Sequence, residues 1–358
     1  MSKTPTHQTL QLWSKFCRDL EQAGQEILSS DLQTSETERA EGLRYLTRLL
    51  RVGLDMHLEH GDPAFPSFYQ ASHATAKIGS DNPDNFYQNA TISGAHRYRI
   101  SGQRGTVPIL SFGTKANRYA IDGSMASTGE LDIRDVDVAE DGSFEIVVSR
   151  EKTQGDWLPL AEDSSILIVR QTFFDRAAEI PATVKIEALD GDTVPPPLNI
   201  EMLNTALTRV PAFVNGTSTI FKNWAELFRA ENRNNLNTTE QSKFIKAGGD
   251  PMIYYLHGWW DLEEGQALRI TSPIPDCEGW NFQINNIWME SLDYRYHNIH
   301  TNNGLAELNE DGSVTITVSA KPQPSNWIDT AGHNKGTMLW RWTGATDHPI
   351  PEVEIINV

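Results

Sequence analysis

The sequence is poor in cysteine and in long apolar runs, and each shortage excludes a class of protein. Its 358 residues include only Cys17 and Cys277, which match neither a disulfide framework nor a paired-thiol metal site. No apolar stretch approaches the roughly 20 residues that a membrane-spanning helix requires, and the first residues lack the apolar core of a signal peptide. We therefore expect a cytoplasmic protein that is neither inserted into a membrane nor exported.

Positive charge is also scarce. The chain has 30 Lys and Arg against 48 Asp and Glu, a formal net charge of −18, and no Lys/Arg-rich run. Because nucleic-acid binding needs basic patches that replace phosphate counterions, no nucleic-acid partner is expected. The expected partner is a small-molecule ligand, with no membrane contact, and a homo-oligomer stays open.

Several catalytic motifs are missing as well. The sequence has no Gly-x-Ser-x-Gly elbow, no Gly-x-x-x-x-Gly-Lys phosphate loop and no dinucleotide-binding fingerprint. His57, Glu59 and His60 do not have the spacing of either zinc-protease helix motif, so we predict no metal and no cofactor. Paired carboxylates cannot be recognised by spacing among 48 acids, which leaves a glycosidase mechanism permitted but unsupported.

The first sixty residues predict two amphipathic helices. The apolar stripe of the first helix is Leu10, Trp13, Phe16, Leu20, Ala23 and Ile27. The second helix begins with a capping-box pattern at 35–38 and ends at Gly61. Its predicted core face is Leu43, Leu46, Leu50 and Leu54, and its predicted solvent face is Glu41, Arg44, Arg48, Asp55 and Glu59.

From about Asn85 the hydrophobic period changes from 3.6 to 2, which indicates β-strands. A helical pattern returns between about Pro197 and Gly249, and strand signals then continue to the C-terminus. These changes predict four segments. They are an N-terminal helical arm at 1–84, a first β-unit at 85–196, a helical insert at 197–249 and a second β-unit at 250–358.

The two β-segments carry an internal repeat. Across 140–157 and 310–327, eight of eighteen positions are identical without a gap, and both copies begin with Glu-Asp-Gly-Ser. The same offset of 170 aligns Trp157 with Trp327, and one inserted residue aligns Arg170 with Arg341. Repeats at a fixed offset indicate duplicated structural units. The predicted fold is therefore mainly β with helical additions, as two β-sandwich units related by internal duplication.

The first repeat resembles the bacterial domain-of-unknown-function 1214 family. The resemblance lies in Asn117-Arg-Tyr119, the Asp-Gly-Ser turn at 141–143, Gly155-Asp-Trp-Leu-Pro159 and Leu167-Ile-Val-Arg170. The second repeat keeps Asp-Gly-Ser at 311–313, Asn326-Trp327 and Arg341 but replaces Leu-Pro with Ile-Asp. The resemblance implies jelly-roll-like β-sandwiches and brings no established reaction and no catalytic residues.

Three groups of residues have both a structural and a functional interpretation. Trp157 with Arg170, and Trp327 with Arg341, are either packing pairs or ligand-facing pairs that stack across neighbouring strands. His57 lies on an apolar helix face near the helix C-terminus, where the macrodipole would favour the imidazolium. It is therefore either a general acid or a core residue.

Aromatic residues concentrate in the second β-unit, which holds seven of the ten tryptophans. The rings either fill a core or line a cleft that stacks flat ligand faces. Strand alternation across 294–300 would place Tyr294, Tyr296 and His300 on one side and His297 on the other.

From these patterns we predict one ligand cleft where the two β-units meet the helical arm. The candidate catalytic residues are His257, His297, His57 and Arg341. The candidate ligand-binding residues are Trp259, Trp260, Trp327, Tyr294, Tyr296 and Trp340. Two functions remain open: an enzyme that uses acid-base chemistry, without a metal, on a small neutral or apolar molecule or a carbohydrate, and a lectin-like binding protein without chemistry.

Overall fold

The computed structural model describes residues 5–238 and 240–358, with side chains from residue 7 onward. Within them lie four α-helices: α1 (Pro5–Leu28), α2 (Glu36–Leu54), α3 (Ile200–Glu231) and α4 (Gln241–Lys246). In these described segments, no helix is long and apolar enough to cross a membrane.

The first repeat contributes eight strands, β1 (Asn85–Thr91), β2 (Tyr98–Gln103), β3 (Ile109–Arg118), β4 (Ser124–Asp132), β5 (Ser143–Ser149), β6 (Trp157–Pro159), β7 (Ile166–Thr172) and β8 (Thr183–Ala188). A short strand, β9 (Leu236–Asn237), precedes the second repeat. That repeat contributes β10 (Ile253–Asp261), β11 (Gln266–Ser272), β12 (Gly279–Ile284), β13 (His300–Asn302), β14 (Val314–Ser319), β15 (Trp327–Asp329), β16 (Lys335–Thr343) and β17 (Glu352–Asn357).

Strand order confirms the duplication. The first repeat forms the sheets β1-β7-β3-β4 and β6-β5-β2-β8, and the second forms β10-β16-β12-β13 and β15-β14-β11-β17 in the corresponding order. The second repeat differs by one addition, because β9 pairs with the free edge of β10. The protein is therefore mainly β, with two repeated two-sheet units and added helices.

The strand register repeats as well. Ile100 pairs with Ile146 in the first repeat, and their counterparts Ile270 and Ile316 pair in the second. Both Asp-Gly-Ser segments form the predicted turn, since each Asp side chain accepts hydrogen bonds from the Ser backbone and hydroxyl groups. The central glycines have φ of 83° and 82°, a conformation that glycine adopts without steric cost.

Each repeat has its own hydrophobic core between its two sheets. Because strand side chains alternate between faces, Leu167 and Val169 of β7 enter the first core, and Trp340 and Trp342 of β16 enter the second. The outer face of the β7 sheet carries Ile166 and its alternate neighbours.

The chain divides into two compact units, each of which contains one repeat together with helical residues. Of the described residues, the first unit takes 5–30, 46–76 and 85–219, and the second takes 31–45, 77–84 and 220–358. The four-segment division expected from the sequence stays a prediction.

The N-terminal helices form, but their buried faces differ from the prediction. In α1 the buried stripe covers only Phe16, Ala23 and Ile27, while Leu10 and Trp13 are exposed. The helix approaches α2 closely at Gly24, where a Cβ would stand 3.3 Å from the Leu46 side chain.

The predicted face of α2 is wrong in part, since Leu46, Leu50 and Leu54 are half-buried but other residues of the helix are buried more deeply. Tyr45, Leu49 and Val52 are buried, whereas Leu43 is 55% exposed. Glu41, predicted to face solvent, is buried because it accepts a hydrogen bond from His333 at 3.1 Å. The capping box at the start of α2 is confirmed by reciprocal hydrogen bonds between Ser35 and Glu38.

Candidate functional site

A pocket of about 370 Å³ opens in the first unit, on the outer face of the sheet that contains β1, β3 and β7. We call it the His57 pocket. Its apolar walls are Met56, Ala120, Ile121, Ile166, Ala212 and Phe213. Its polar groups are His57, Tyr69, Thr91, Asn117, Arg118, Ser165 and Arg209.

Local sequence explains why the pocket forms there. Thr91 pairs with Ile166 across β1 and β7, and both face outward because their neighbours Ala90 and Leu167 lie in the core between the sheets. On α3, Arg209, Ala212 and Phe213 have the three- and four-residue spacing of one helix face. The floor of the pocket is therefore a sheet and one wall is a helix.

The second wall is a π-helical turn, Asp55–Glu59, that continues α2. The backbone N–H of His60 donates to the carbonyl of Asp55 at 2.8 Å, the five-residue spacing of a π-turn, which is frequent at functional sites. Gly53 allows this wall to approach α3, since a Cβ there would stand 3.1 Å from the Phe213 ring. The Thr91 hydroxyl donates to the Met56 carbonyl at 3.2 Å and ties the turn to β1.

His57 is a neutral imidazole in this pocket. Its ring contacts Phe213 edge-on, with the ring centroids 6.0 Å apart and the planes at 75°. Burial, and then the positive charge of Arg209, lowers the pKa of His57 to about 4. The sequence-based expectation of an imidazolium stabilised by a helix dipole is wrong, because desolvation and a neighbouring cation both disfavour the charged form.

Tyr69 supplies a protonated hydroxyl. Burial, and then the negative charge of Asp55, raises the pKa of Tyr69 far above its usual range. Its ring stacks on His60 with centroids 5.4 Å apart. Among the described residues, no group hydrogen-bonds to the Tyr69 hydroxyl, which is itself buried, so Tyr69 contributes an unsatisfied donor beside the pocket.

Two arginines give the pocket a positive end. Arg118 is engaged with the carboxylate of Asp122, 3.1 Å away. Arg209 is exposed, and its guanidinium lies close enough to lower the pKa of His57. Of the described residues that line the pocket, none is acidic. The site therefore combines an apolar interior, a neutral base, a hydroxyl donor and a cation.

The candidate residues of β10 and β16 divide between two faces of one sheet. Trp260 and Trp340 lie in the core of the second repeat, where Trp340 stacks on Trp280 at 5.0 Å. His257, Trp259 and Arg341 alternate with core residues and therefore face the opposite way. The adjacent tryptophans at 259 and 260 thus do not line one surface.

His257 is a buried ring among other rings. It stacks on Phe228 with centroids 4.6 Å apart and planes at 10°, and Phe244 lies 4.5 Å away. Burial, and then the charges of Arg341 and Lys243, lowers the pKa of His257 to about 3. These contacts give His257 a packing role in the second unit.

Arg341 belongs to a buried polar network that fixes residues 77–84. Its guanidinium donates to the side-chain oxygens of Asn281 and Gln283, at 3.2 and 2.6 Å, and to the Ser80 carbonyl. Asn281 in turn donates to Asp84. Because buried polar groups cost energy unless they are hydrogen-bonded, this network supports a structural role for Arg341.

Residues 294–299 do not form the predicted strand; β13 contains only His300–Asn302. His297 is exposed and its Nδ1 lies 2.7 Å from the Asp329 carboxylate. Tyr296 is 78% exposed, and Tyr294 lies under the Lys77 ammonium, 4.6 Å from the ring centroid. The segment turns because Asp293 accepts hydrogen bonds from the backbone and guanidinium of Arg295.

Trp157 and Trp327 have the same structural contact in the two repeats. Their indole N–H groups donate to the Ser149 and Ser319 carbonyls at 3.1 and 2.9 Å. Neither stacks across a neighbouring strand on the repeat's arginine, because β6 and β15 belong to different sheets from β7 and β16.

Of the candidate residues predicted from sequence, His57 is the one that lines the His57 pocket. Sequence reasoning missed Tyr69 and Arg209, because neither lies in a recognisable motif. It also missed Thr91. The aligned arginines Arg170 and Arg341 pair with Tyr87 and Tyr255. Thr91 and Trp259 each lie four residues after that tyrosine, so extending the repeat alignment to β1 makes them equivalent positions.

A family model and one solved structure agree with this architecture. The model of one protein family, described as a protein of unknown function (DUF1214), matches residues 84–172 and 263–346. The crystal structure of an uncharacterized protein from Burkholderia cenocepacia is similar over 97% of both chains, with 46% identity and a TM-score of 0.94. A protein from Vibrio parahaemolyticus matches with 11% identity and a TM-score of 0.49, over 88% of this chain and 98% of its own. No curated protein matches significantly.

Proposed function

The chain belongs to the DUF1214 family and carries the family's domain twice, and from this premise we propose that it is an enzyme that performs acid-base chemistry on a small, largely apolar organic molecule in the His57 pocket. The observation that carries the proposal is that a neutral histidine and a hydroxyl donor without a hydrogen-bond partner among the described residues line the same apolar pocket. Such pairing of perturbed titratable groups in a cleft is typical of catalytic sites.

The two groups have complementary protonation states at neutral pH. His57, with a pKa of about 4, is unprotonated and accepts a proton from the substrate. Tyr69, whose pKa is raised, stays protonated and donates a hydrogen bond to a developing oxyanion. Arg209 adds electrostatic stabilisation of negative charge. Together they fit a proton-transfer step such as an isomerisation or elimination.

A second candidate is a protein that binds its ligand without changing it. The apolar walls favour this alternative, because six of the residues that line the pocket are hydrocarbon or thioether side chains. They also favour an apolar ligand over a carbohydrate, whose hydroxyls need several polar partners. We further propose that the protein acts in the cytoplasm, since Cys17 and Cys277 are both free thiols.

Untargeted metabolite turnover tests the proposal. Purified protein is incubated with a cell metabolite extract, and the chromatographic retention and mass of each compound are followed together, so that isomers of equal mass are also detected, for the wild type, His57→Gln and Tyr69→Phe. We expect both variants to lose at least about 100-fold in rate, the usual contribution of a general acid or base. His297→Gln is the matched control and should keep full activity.

Two results decide between the candidates. Turnover at the wild-type rate by His57→Gln would reject the catalytic assignment. A ligand that co-purifies or binds in the pocket and is returned unchanged by the wild type would favour the binding protein.

A further inference from the structure

We infer that the ligand of the His57 pocket is an amphipathic anion, with an anionic oxygen group, a carboxylate in the simplest case, bound by Arg209 and an apolar remainder held inside the pocket. This inference rests on the proposed function and names the chemical class of its substrate.

The charges around the pocket favour an anionic ligand. The protein as a whole has a formal net charge of −18, yet the described residues that line this pocket include two arginines and no acid. Arg118 is held by Asp122. Arg209 forms no ion pair with a carboxylate in the described part of the chain. A guanidinium at the rim of a pocket binds a planar carboxylate through two parallel hydrogen bonds.

The face of α3 that lines the pocket places a charged side chain next to an apolar one. Arg209 and Phe213 are four residues apart and therefore neighbours on one helix face, about 5–6 Å between their Cβ atoms. Arg209 is exposed whereas Phe213 is buried, so the pocket runs from a charged rim to an apolar interior within one helical turn. A ligand that matches both ends has its charge at one end and hydrocarbon a few bonds away.

The size of the pocket favours a small ligand. Its volume of about 370 Å³ lies at the lower end of the range of about 300–1,000 Å³ for small-molecule sites. An acid with a single ring system or a medium-length chain fits this space.

Anion binding would also strengthen the catalytic base. Arg209 is the second cause, after burial, of the low pKa of His57. A carboxylate beside Arg209 offsets that positive charge, so the pKa of His57 rises when the ligand is bound. A base with a pKa closer to 7 abstracts protons more efficiently at cellular pH.

Two fluorescent probes separate the anionic group from the apolar one. N-phenyl-1-naphthylamine is neutral, and 8-anilinonaphthalene-1-sulfonate is the same ring system with one anionic sulfonate. Both are titrated into the wild type, Arg209→Gln and Arg229→Gln. Arg229 is the matched control because it is an exposed arginine on the same helix that does not line the pocket. Decanoate and decan-1-ol are then compared as competitors.

We expect Arg209→Gln to weaken sulfonate-probe binding at least tenfold and neutral-probe binding less than twofold, with no change in Arg229→Gln. Decanoate should displace the probes at a concentration at least tenfold lower than decan-1-ol. Equal binding of both probes, unchanged by Arg209→Gln, would overturn the anionic class and leave the proposed function intact. Failure of both probes to bind, with no displacement by either competitor, would count against the proposed function itself.

Discussion

Thr91 and Trp259 occupy equivalent positions in the two repeats. Thr91 of β1 pairs with Ile166 of β7 in the first repeat, and Trp259 of β10 pairs with Thr337 of β16 in the second. Trp259 is 1% exposed and is among the largest fully buried side chains. The small Thr91 instead lines the His57 pocket. One repeat thus keeps open a space where the other carries an indole ring.

Filling that space should weaken ligand binding. We predict that Thr91→Trp reduces the affinity for the neutral naphthylamine probe at least tenfold, because the indole occupies the volume of the ligand. Thr91→Val should bind like the wild type, since it preserves the volume. Both variants lose the hydrogen bond to Met56, so the pair isolates the effect of size. Fluorescence titration measures both affinities.

A second filling variant protects this test against misfolding. Ala212→Phe fills the pocket from α3, at a position that is exposed, and it should also weaken binding with little change in melting temperature. Wild-type affinity in both filled variants, with both proteins folded, would exclude the His57 pocket as the ligand site.

The sequence predicted the general fold well and the site poorly, and the two outcomes have different physical causes. The repeat was visible because turns and core strands need particular residues, such as the Asp-Gly-Ser turns whose glycines have positive φ. Burial on the outer sheet faces depends on which distant segment covers them. The hydrophobic pattern therefore could not separate Trp259 from Trp260, although their side chains face opposite ways.

The same limit explains the error in α2. Leu43 and Tyr45 both belong to helical patterns, but the partners decide which is buried: Tyr45 stacks on Trp288 with centroids 6.4 Å apart, and Glu41 receives the hydrogen bond of His333. A sequence pattern contains neither partner. Tyr69 and Arg209 were missed for the same reason, because the pocket exists only after the helices pack on the sheet.

Truncating Trp259 should cost stability. We predict that Trp259→Ala lowers the free energy of unfolding by about 3–5 kcal/mol, the usual cost of deleting a large buried ring. Thr91→Ala, at the equivalent but open position, should cost less than about 1.5 kcal/mol. Urea denaturation of the two variants and the wild type measures the difference. Similar losses at both positions would contradict the account of one filled and one open repeat.

His257 and His297 should behave oppositely. His257→Ala removes a ring packed against Phe228 and Phe244, so we expect a loss of about 2–5 kcal/mol in the free energy of unfolding. His297→Ala removes an exposed side chain and should stay within about 1 kcal/mol of the wild type. A variant His257→Ala that unfolds like the wild type while binding is lost would restore His257 as a site residue.

Histidine titration should follow the environments in the structure. The pKa of folded His57 is about 4, below the unperturbed value of about 6.5, so the unfolded chain binds this proton first as the pH falls. The stability that His57 contributes is therefore complete above about pH 6.5 and is lost as the pH falls towards 4. For His333, burial lowers the pKa, but the hydrogen bond and charge of Glu41 together raise it above the usual value.

Two-dimensional NMR of the imidazole protons tests these directions. Between pH 5.5 and 8 the signals of His57 should not shift, whereas His333 should titrate at a higher pH than a free imidazole. His57→Gln and His333→Gln assign the two resonances. A midpoint for His57 above 6 would contradict the neutral base in the free pocket.

The most direct test of the central claim is a crystal structure of the protein with 8-anilinonaphthalene-1-sulfonate. Our account predicts density for the naphthalene rings beside Phe213 and Thr91, with the sulfonate within hydrogen-bond distance of Arg209 and the ring edge close to His57. Ordered density for the probe beside Tyr296 and Trp327, with the His57 pocket empty, would contradict it.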